Sequence, residues 1–532
     1  MHLIIMVLLP IVAGLIISLF SNRSLQRVGD GGRFILVLLS SYNLYKVLNH
    51  GTISIRMKDV ALLGIGLLSD RVSSVLLLMT SLIFFVIGLY IIREIELDNT
   101  FHFLFLTMQA ILYTAFLSID IFNLFVLLEL ATLICGILIM YLREKRSAYD
   151  GLTYILLNTV AIMFYLIGVG LLYKIFGNLD LSFIQEQVAE VDSEELILAV
   201  AFILTGLLFK SACFPLSFWL PRAHGTPGAH SAVSAMLSGV FIKISLYLLI
   251  RYIGLFEGVL PLRPFILWIA TITSILGIVL AILTKDVKLI LANHTISQIG
   301  LILIGIVSSG PQGYYGGLLH IVNHAFFKSL LFLTIGLIVE KYKSRRISDI
   351  SGVFRYYPLL GVCLLVGILG ITGAPLFNGF TSKYLIAYDY KNTFFQWVIE
   401  LINLGTILSF VKLGSILFET GKSVRVQRIP MNQQIALVIS AVLVFGSGLF
   451  AKDIVHWMTG ETLILSFEDF LVKALTWLGY LVLATLIYLK VLPKLTLYQK
   501  GVRVDVSFHT MVGMIIVTFT VIVCYFLLMT SL

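Results

Sequence analysis

Along this chain the polar positions are the exceptions. Apolar runs of about 18 residues or more follow one another from end to end, and each is long enough to cross a hydrocarbon layer of roughly 30 Å as a helix. Short polar turns separate them. No linker-like stretch divides the series, so the pattern predicts one continuous helical bundle rather than a string of soluble domains. The runs place helices at 3–20, 33–49, 70–92, 102–117, 120–141, 149–175, 196–218 and 230–252. They continue at 265–284, 288–308, 314–338, 359–390, 394–419, 434–452, 468–491 and 509–531. The fold expected is an all-α polytopic membrane protein of about sixteen spans, with 102–117 marginal for the bilayer thickness.

Two runs are interrupted. Pro215, in Phe214-Pro215-Leu216, breaks the seventh, and Pro375, in Ala374-Pro375-Leu376 between Gly370, Gly373 and Gly379, breaks the twelfth. Proline removes a backbone donor and frees the carbonyl four residues back. Inside a bilayer such a break survives only where it is buried in protein or lines a watery cavity. The breaks lie five helices apart, and a repeat of five is odd, so the second copy must be upside down, with a site expected at the midplane. The chain then divides into an N-terminal three-helix segment over 1–101, a five-helix repeat over 102–252, its inverted counterpart over 265–420 and C-terminal helices over 421–532.

Composition agrees with the pattern. The chain is 59% hydrophobic and 12% charged, where a globular domain carries about a quarter of charged residues. A net charge of +9 would suit a nucleic-acid partner, but its distribution argues against one. Lys and Arg gather in alternate loops: Arg23, Arg27 and Arg33; Arg143, Lys145 and Arg146; Lys285 and Lys288; Lys341, Lys343, Arg345, Arg346 and Arg355. Lys422, Arg425 and Arg428 follow, then Lys490, Lys494, Lys500 and Arg503. The positive-inside rule puts these loops in the cytoplasm and both termini outside, across a cell inner membrane. The acidic stretch Glu186, Glu190, Asp192, Glu194 and Glu195 falls on the opposite side. The first run, from Leu3 to Phe20, lacks a basic leader and a cleavage site and reads as a retained helix.

Cys135, Cys213, Cys363 and Cys524 stand singly, which gives no iron–sulfur or zinc pattern and no disulfide framework. Walker A, GxGxxG, HExxH and GxSxG motifs with suitable flanks are missing too. Neither a catalytic centre nor a cofactor is expected.

What remains is a set of titratable groups inside apolar runs: Glu129, Lys210, Lys243, Lys328 and Lys383. A charge at a helix centre costs upward of about 2.5 kcal/mol, so such groups are paired, hydrated or functional. Glu129 reads either as a carboxyl satisfied by a hydroxyl or as the partner of Lys210, in which case changing their separation would load and unload a proton. His320, His324 and Lys328 recur every four residues and share one helix face, rising about 6 Å per step. With His294 they bridge the lysines, and imidazole exchanges protons near neutral pH. Asp389, Glu400 and Lys412 belong either to an exit side or to the interface, where long side chains snorkel; the interfacial reading is preferred for Asp389 and Lys412. His224 and His230 bracket Gly225-Thr226-Pro227-Gly228, without a third metal ligand nearby, and suit proton entry or loop packing.

The stretch Phe209-Lys210-Ser211-Ala212-Cys213-Phe214-Pro215-Leu216-Ser217-Phe218-Trp219-Leu220-Pro221-Arg222-Ala223-His224, with Ser231 to Lys243 after it, resembles the signature of the antiporter-like subunits of complex I. That family is shared with Mrp-type Na+/H+ antiporters and energy-converting membrane-bound hydrogenases. Lys285 to Gly300, His320 to Gly336 and Gly373 to Lys383 are similar to three further family motifs, and the resemblance spans at least 102–420. It implies that Glu129 and Lys210 are the family's fifth- and seventh-helix groups, Lys243 the connecting lysine and Lys383 the twelfth-helix lysine. His294, His320, His324 and Lys328 then fall on the polar axis between them. Gln298, where complex I members tend to have histidine, looks more like the Mrp and hydrogenase branches. Only about 17 residues join the last two spans, against roughly 40 needed for a 60 Å lateral helix, so that element of some relatives is not expected.

Three functions follow. The first is a proton-translocating subunit, with Na+ as a second candidate ion, of a hydrogenase-like or complex I-like assembly. The second is a subunit of an Mrp-type cation/proton antiporter. The third is a non-pumping scaffold. The first two require other membrane subunits as partners.

Overall fold

A computed structural model describes residues 1–20, 26–56, 66–92, 94, 96–418, 426–463, 466–502 and 504–531, with side chains left out at 26–28 and 30. Of the loop cations named above, Arg23, Lys422, Arg425, Arg503 and the Arg27 side chain lie outside that description.

The described chain is mostly helical. Its first part comprises α1 (His2–Leu19), α2 (Gln26–His50), a hairpin of β1 (Ile53–Arg56) and β2 (Gly66–Ser69), then α3 (Arg71–Ile91), α4 (Asn99–Leu117) and α5 (Ile121–Ile139). Next come α6 (Lys145–Phe176), α7 (Leu181–Gln187), α8 (Ser193–Lys210), α9 (Trp219–Gly225), α10 (Ser231–Met236) and α11 (Ile242–Leu255). They are followed by α12 (Leu262–Leu283), α13 (Val287–Ile306), α14 (Pro311–Tyr342), α15 (Val353–Tyr356), α16 (Pro358–Thr372) and α17 (Asn378–Tyr388). The last are α18 (Phe394–Phe418), α19 (Met431–Leu449), α20 (Ala451–Thr459), α21 (Phe467–Leu486), α22 (Thr496–Lys500) and α23 (Phe508–Thr530).

Among the described residues, 13 helices are long and apolar enough to cross a membrane. Three expected spans are helical yet fall short of that measure for physical reasons. The helix α2 opens on a polar turn, α8 begins with Glu194 and Glu195, and α16 stops after 15 residues. The antiparallel hairpin, pairing Ile53 with Ser69 and Arg56 with Gly66, lies in a stretch that the apolar pattern left as loop.

Both expected breaks interrupt helices. α8 ends at Lys210 and helix resumes at Trp219; α16 ends at Thr372 and helix resumes at Asn378. The second gap needs glycine twice. Gly373 takes φ +75 as the left-handed cap of α16, and Gly379 lies so close to Gly370 that a Cβ there would run into the Gly370 carbonyl oxygen.

Contacts sort the loops onto two faces. On one, Arg222 pairs with Asp150 at 3.2 Å and with Asp505 at 2.8 Å, Arg345 pairs with Asp286 at 2.9 Å, and Lys285 reaches the Gln499 carbonyl. These are the loops to which the charge pattern gives one side. On the other face, Arg56 meets Asp180 at 3.4 Å and Ser308 donates to Asp389 at 2.9 Å. Two short bridges recur at the helix starts, one on each face. Asp120 caps α5 and bridges Asp180, while Asp286 caps α13 and bridges Arg346.

Packing is densest through the middle. α13 and α14 are buried along their apolar windows from end to end, whereas α21 has almost no fully buried residue. The C-terminal helices lie on the outside of the bundle: α21 packs on α18, and α23 packs on α6 and α8, where Phe519 meets Phe202 at 4.3 Å between ring centres.

Candidate functional site

Polar groups gather where those two central helices meet the broken ones. Lys210 is the final residue of α8 and only 1% exposed. A helix C-terminus favours a cation, so the break gives the ammonium a better setting than an unbroken helix would. Its Nζ donates to the Thr132 hydroxyl of α5, one turn from Glu129. Glu129 is half-buried; its Oε1 accepts from the Thr159 hydroxyl of α6 at 2.8 Å, and its Oε2 is buried without a partner. Hydroxyls thus hold both groups in this conformation, within electrostatic reach of each other but not in ion-pair contact.

The next group rests on a backbone irregularity. Between α10 and α11 the chain makes a π-helical turn over Leu237–Phe241, of the kind that displaces backbone carbonyls from the α-helical ladder. The Ser238 carbonyl accepts from Lys243 Nζ at 2.6 Å, and the same nitrogen lies 2.5 Å from His324 Nδ1 on α14. One turn earlier, His320 links Gln298 of α13, at 3.0 Å, to the Ser382 hydroxyl of α17, at 2.8 Å. Lys383 follows Ser382 directly; it is 2% exposed and its Nζ has no partner. One turn later on α14, Lys328 donates to the Leu291 carbonyl at 2.6 Å.

Residues from Lys243 to Lys383 therefore form a nearly continuous row across α11, α14 and α17. Glu129 and Lys210 form a second cluster, with the Phe241 ring 6.0 Å from Lys210 Nζ. His294 branches off: its Nε2 meets the Ser409 hydroxyl of α18 and its ring packs 4.5 Å from Phe410. Such a row can relay protons where side-chain rotations close the gaps between His324 and His320 and between Ser382 and Lys383, since imidazole exchanges protons near neutral pH.

The remaining candidates sit apart. His224 is fully buried and stacked on Phe332 at 4.5 Å, with neither ring nitrogen hydrogen-bonded. His230 accepts from the Ala232 amide at 3.2 Å and so caps α10. Asp389 accepts from the Gly313 amide at 2.6 Å at the start of α14. Lys412 does not snorkel: it is 2% exposed and donates to the carbonyls of Ala281, Ile282 and Thr284 at 2.7–2.8 Å, closing the C-terminus of α12. Glu400 pairs with Lys473 of α21 at 3.7 Å.

Sequence reasoning missed Thr132, Thr159, Ser382 and Lys473. A hydroxyl in an apolar helix carries no signal of its own, since it can bond its own backbone. Lys288, counted above as a loop cation, is 7% exposed and donates to the Ala229 carbonyl at 3.1 Å.

Fold and site together define a polytopic helical membrane protein built around a buried row of lysines and histidines. Residues 118–409 match the family model described as NADH:quinone oxidoreductase/Mrp antiporter, TM, and the chain belongs to that family. It is 28% identical over 489 residues to a Staphylococcus aureus (strain JH9) protein named as antiporter subunit mnhD2, covering 89% of this chain and 97% of that one. Among solved structures it resembles one chain of the Mrp complex from Dietzia sp. DQ12-45-1b, with TM-score 0.79, 22% identity, and coverage of 91% of this chain and 99% of that chain. A chain of respiratory complex I from Thermus thermophilus is also similar, with TM-score 0.74, 21% identity and coverage of 90% and 100%.

Proposed function

We propose that this chain is the proton-conducting subunit of a multi-subunit cation/proton antiporter, with Glu129, Lys210, Lys243, His320, His324, Lys328 and Lys383 carrying the proton and His294 on a side branch. The observation that carries the reading is the buried row in which Lys243 bonds His324, and His320, one turn away, bonds the Ser382 hydroxyl next to Lys383. Titratable groups at membrane depth are costly, and their presence there marks a proton or ion path by default. An antiporter is favoured over a redox-driven complex because the 28% relative, matched over 97% of its length, is named as an antiporter subunit. A redox-driven assembly is the second reading, which the likeness to complex I keeps open.

About sixteen spans, ten of them in two inverted five-helix repeats, fit the paired breaks and the paired bridges at Asp120 and Asp286, which lie on opposite faces. The loops joined by Arg222, Arg345 and Lys285 would then be cytoplasmic and both termini external, in agreement with their charge.

The test uses the native complex purified with its partners and reconstituted into vesicles. Lys210→Met is expected to abolish ion-driven proton movement while the complex still assembles. Unchanged transport would leave the scaffold as the correct function. Iron–sulfur or nickel subunits that co-purify would shift the assignment to the redox-driven assembly.

A further inference from the structure

One C-terminal helix brings polar side chains to the second lysine. Lys473 lies six residues into α21, and its Nζ is 3.7 Å from Glu400 Oε1, with both side chains mostly shielded (16% and 22% exposed). The Tyr480 hydroxyl turns to the same carboxylate. Beside this pair is a small cavity lined by Lys383, Asn403, Lys473, Trp477 and Tyr480, with room for about one water molecule.

Unpartnered atoms crowd around it. On its wall, Lys383 Nζ, both polar atoms of the Asn403 amide and Trp477 Nε1 are buried without a hydrogen bond, and so is Oε2 of Glu400, whose carboxylate is held by Lys473 and Tyr480 beside the cavity. Lys383 and Asn403 are 2% and 5% exposed. Orphaned buried polar atoms are uncommon, and several around one cavity call for a water or ion that satisfies them in turn. The site also sits near one membrane face: Glu400 and Lys473 each lie about 9 Å along their helices from the ends that meet there.

We propose that Glu400 and this cavity form the terminal proton-exchange station for Lys383, and that Lys473 is the positioning residue that sets when Glu400 lets its proton go. The proposal rests on the proton-conducting reading above. In the forward step the Lys383 ammonium gives a proton to the cavity water, the water passes one of its own to the Tyr480 hydroxyl on the cavity wall, and that hydroxyl hands its proton to Glu400. Lys383 is left as a neutral amine, Glu400 as a neutral acid, and the water is regenerated. A neutral acid no longer attracts Lys473, so the pair opens. The ammonium of Lys473 nearby then favours the carboxylate again, and the proton leaves toward the rim. On the rim side the groups facing the pair are Asp469 and Tyr384, which interact with each other. The C-terminal helix α21 thus completes the path rather than merely covering it.

The test compares Lys473→Gln, Lys473→Arg and Lys383→Met in the whole reconstituted complex, with proton movement followed by an entrapped pH dye. Lys473→Gln is expected to slow transport about tenfold, a barrier rise of about 1.4 kcal/mol, and to change the shape of its dependence on pH. Lys473→Arg should restore most of the rate, and Lys383→Met should abolish transport. Parental rates and profile in Lys473→Gln, with Lys383→Met dead, would overturn this proposal and leave the conducting reading intact. An equal loss in the Gln and Arg variants with no change in profile would also overturn it, since it would mark Lys473 as packing. Parental transport in Lys383→Met would instead bring down the conducting reading itself.

Discussion

Lys210 owes its position to two features at once, a helix that stops and a neighbouring hydroxyl. Neither the bilayer nor an intact helix would hold an ammonium there, but the carbonyl end of α8 and Thr132 do. Thr132→Val removes the acceptor and leaves a buried donor unpaired, which costs about 1–3 kcal/mol. The expected result is a lower midpoint of thermal inactivation for the complex together with slower proton transport; transport at the parental rate would show that Thr132 only packs. At this scale the sequence spoke unevenly. Lys210, Lys243, Lys328 and Lys383 were legible because a charge in an apolar run has few ordinary explanations. Their partners were not, since carbonyls such as that of Leu291 and hydroxyls such as Thr159 are present in every helix. Lys473 was hidden for another reason: six residues from a helix start, a lysine ordinarily snorkels to the interface. Lys412 misled in that same way, looking interfacial while closing the end of α12.

At the scale of elements, the pattern of apolar runs located the long helices but not short ones such as α7, α9, α15 and α22, and its failures share a cause. Periodicity records which residues avoid water, so it has no purchase on the β1–β2 hairpin, on the division of the seventh and twelfth runs into half-helices, or on the π-helical turn before Lys243. Those depend on local backbone geometry. Prolines announced both breaks, yet glycine makes the second one possible. Gly379→Ala would force a methyl group against the Gly370 carbonyl. Overpacking of that kind costs typically about 1–3 kcal/mol, and it would displace α17 together with Lys383. A reduced thermal midpoint of the purified complex, with transport falling in parallel, is the expected outcome. A variant with parental stability would mean that the half-helices can slide apart at little cost.

At the scale of the whole molecule, the chain is bound together at one face by ion pairs between loops far apart in sequence. Asp505, just before α23, meets both Arg146 and Arg222, and Arg222 also meets the nearly buried Asp150. Asp505→Lys would set three cations against one another and loosen the connection between α21 and α23. Trypsin is then expected to cut within the segment containing Lys490, Lys494 and Lys500 much sooner than in the parent, as read by mass spectrometry of the fragments. An unchanged cleavage time would show that α23 is held by its apolar face alone. The charge pattern made this face recognisable in the sequence, because alternate loops carried the lysines and arginines. The particular pairing of Arg222 with Asp505 was not legible, since it joins positions 283 residues apart.

The placement of α21 and α23 bears on how the protein is made. Chains are built from the N-terminus and their segments assemble in that order, so α8 and α17 are threaded into the membrane well before the helices that flank them. Until α21 and α23 follow, the outer sides of both lysine-bearing helices face lipid or whatever else is at hand. Before α21 docks, Lys383 would lack Lys473, Trp477 and Tyr480 on its cavity, and the proposed exchange station would be incomplete.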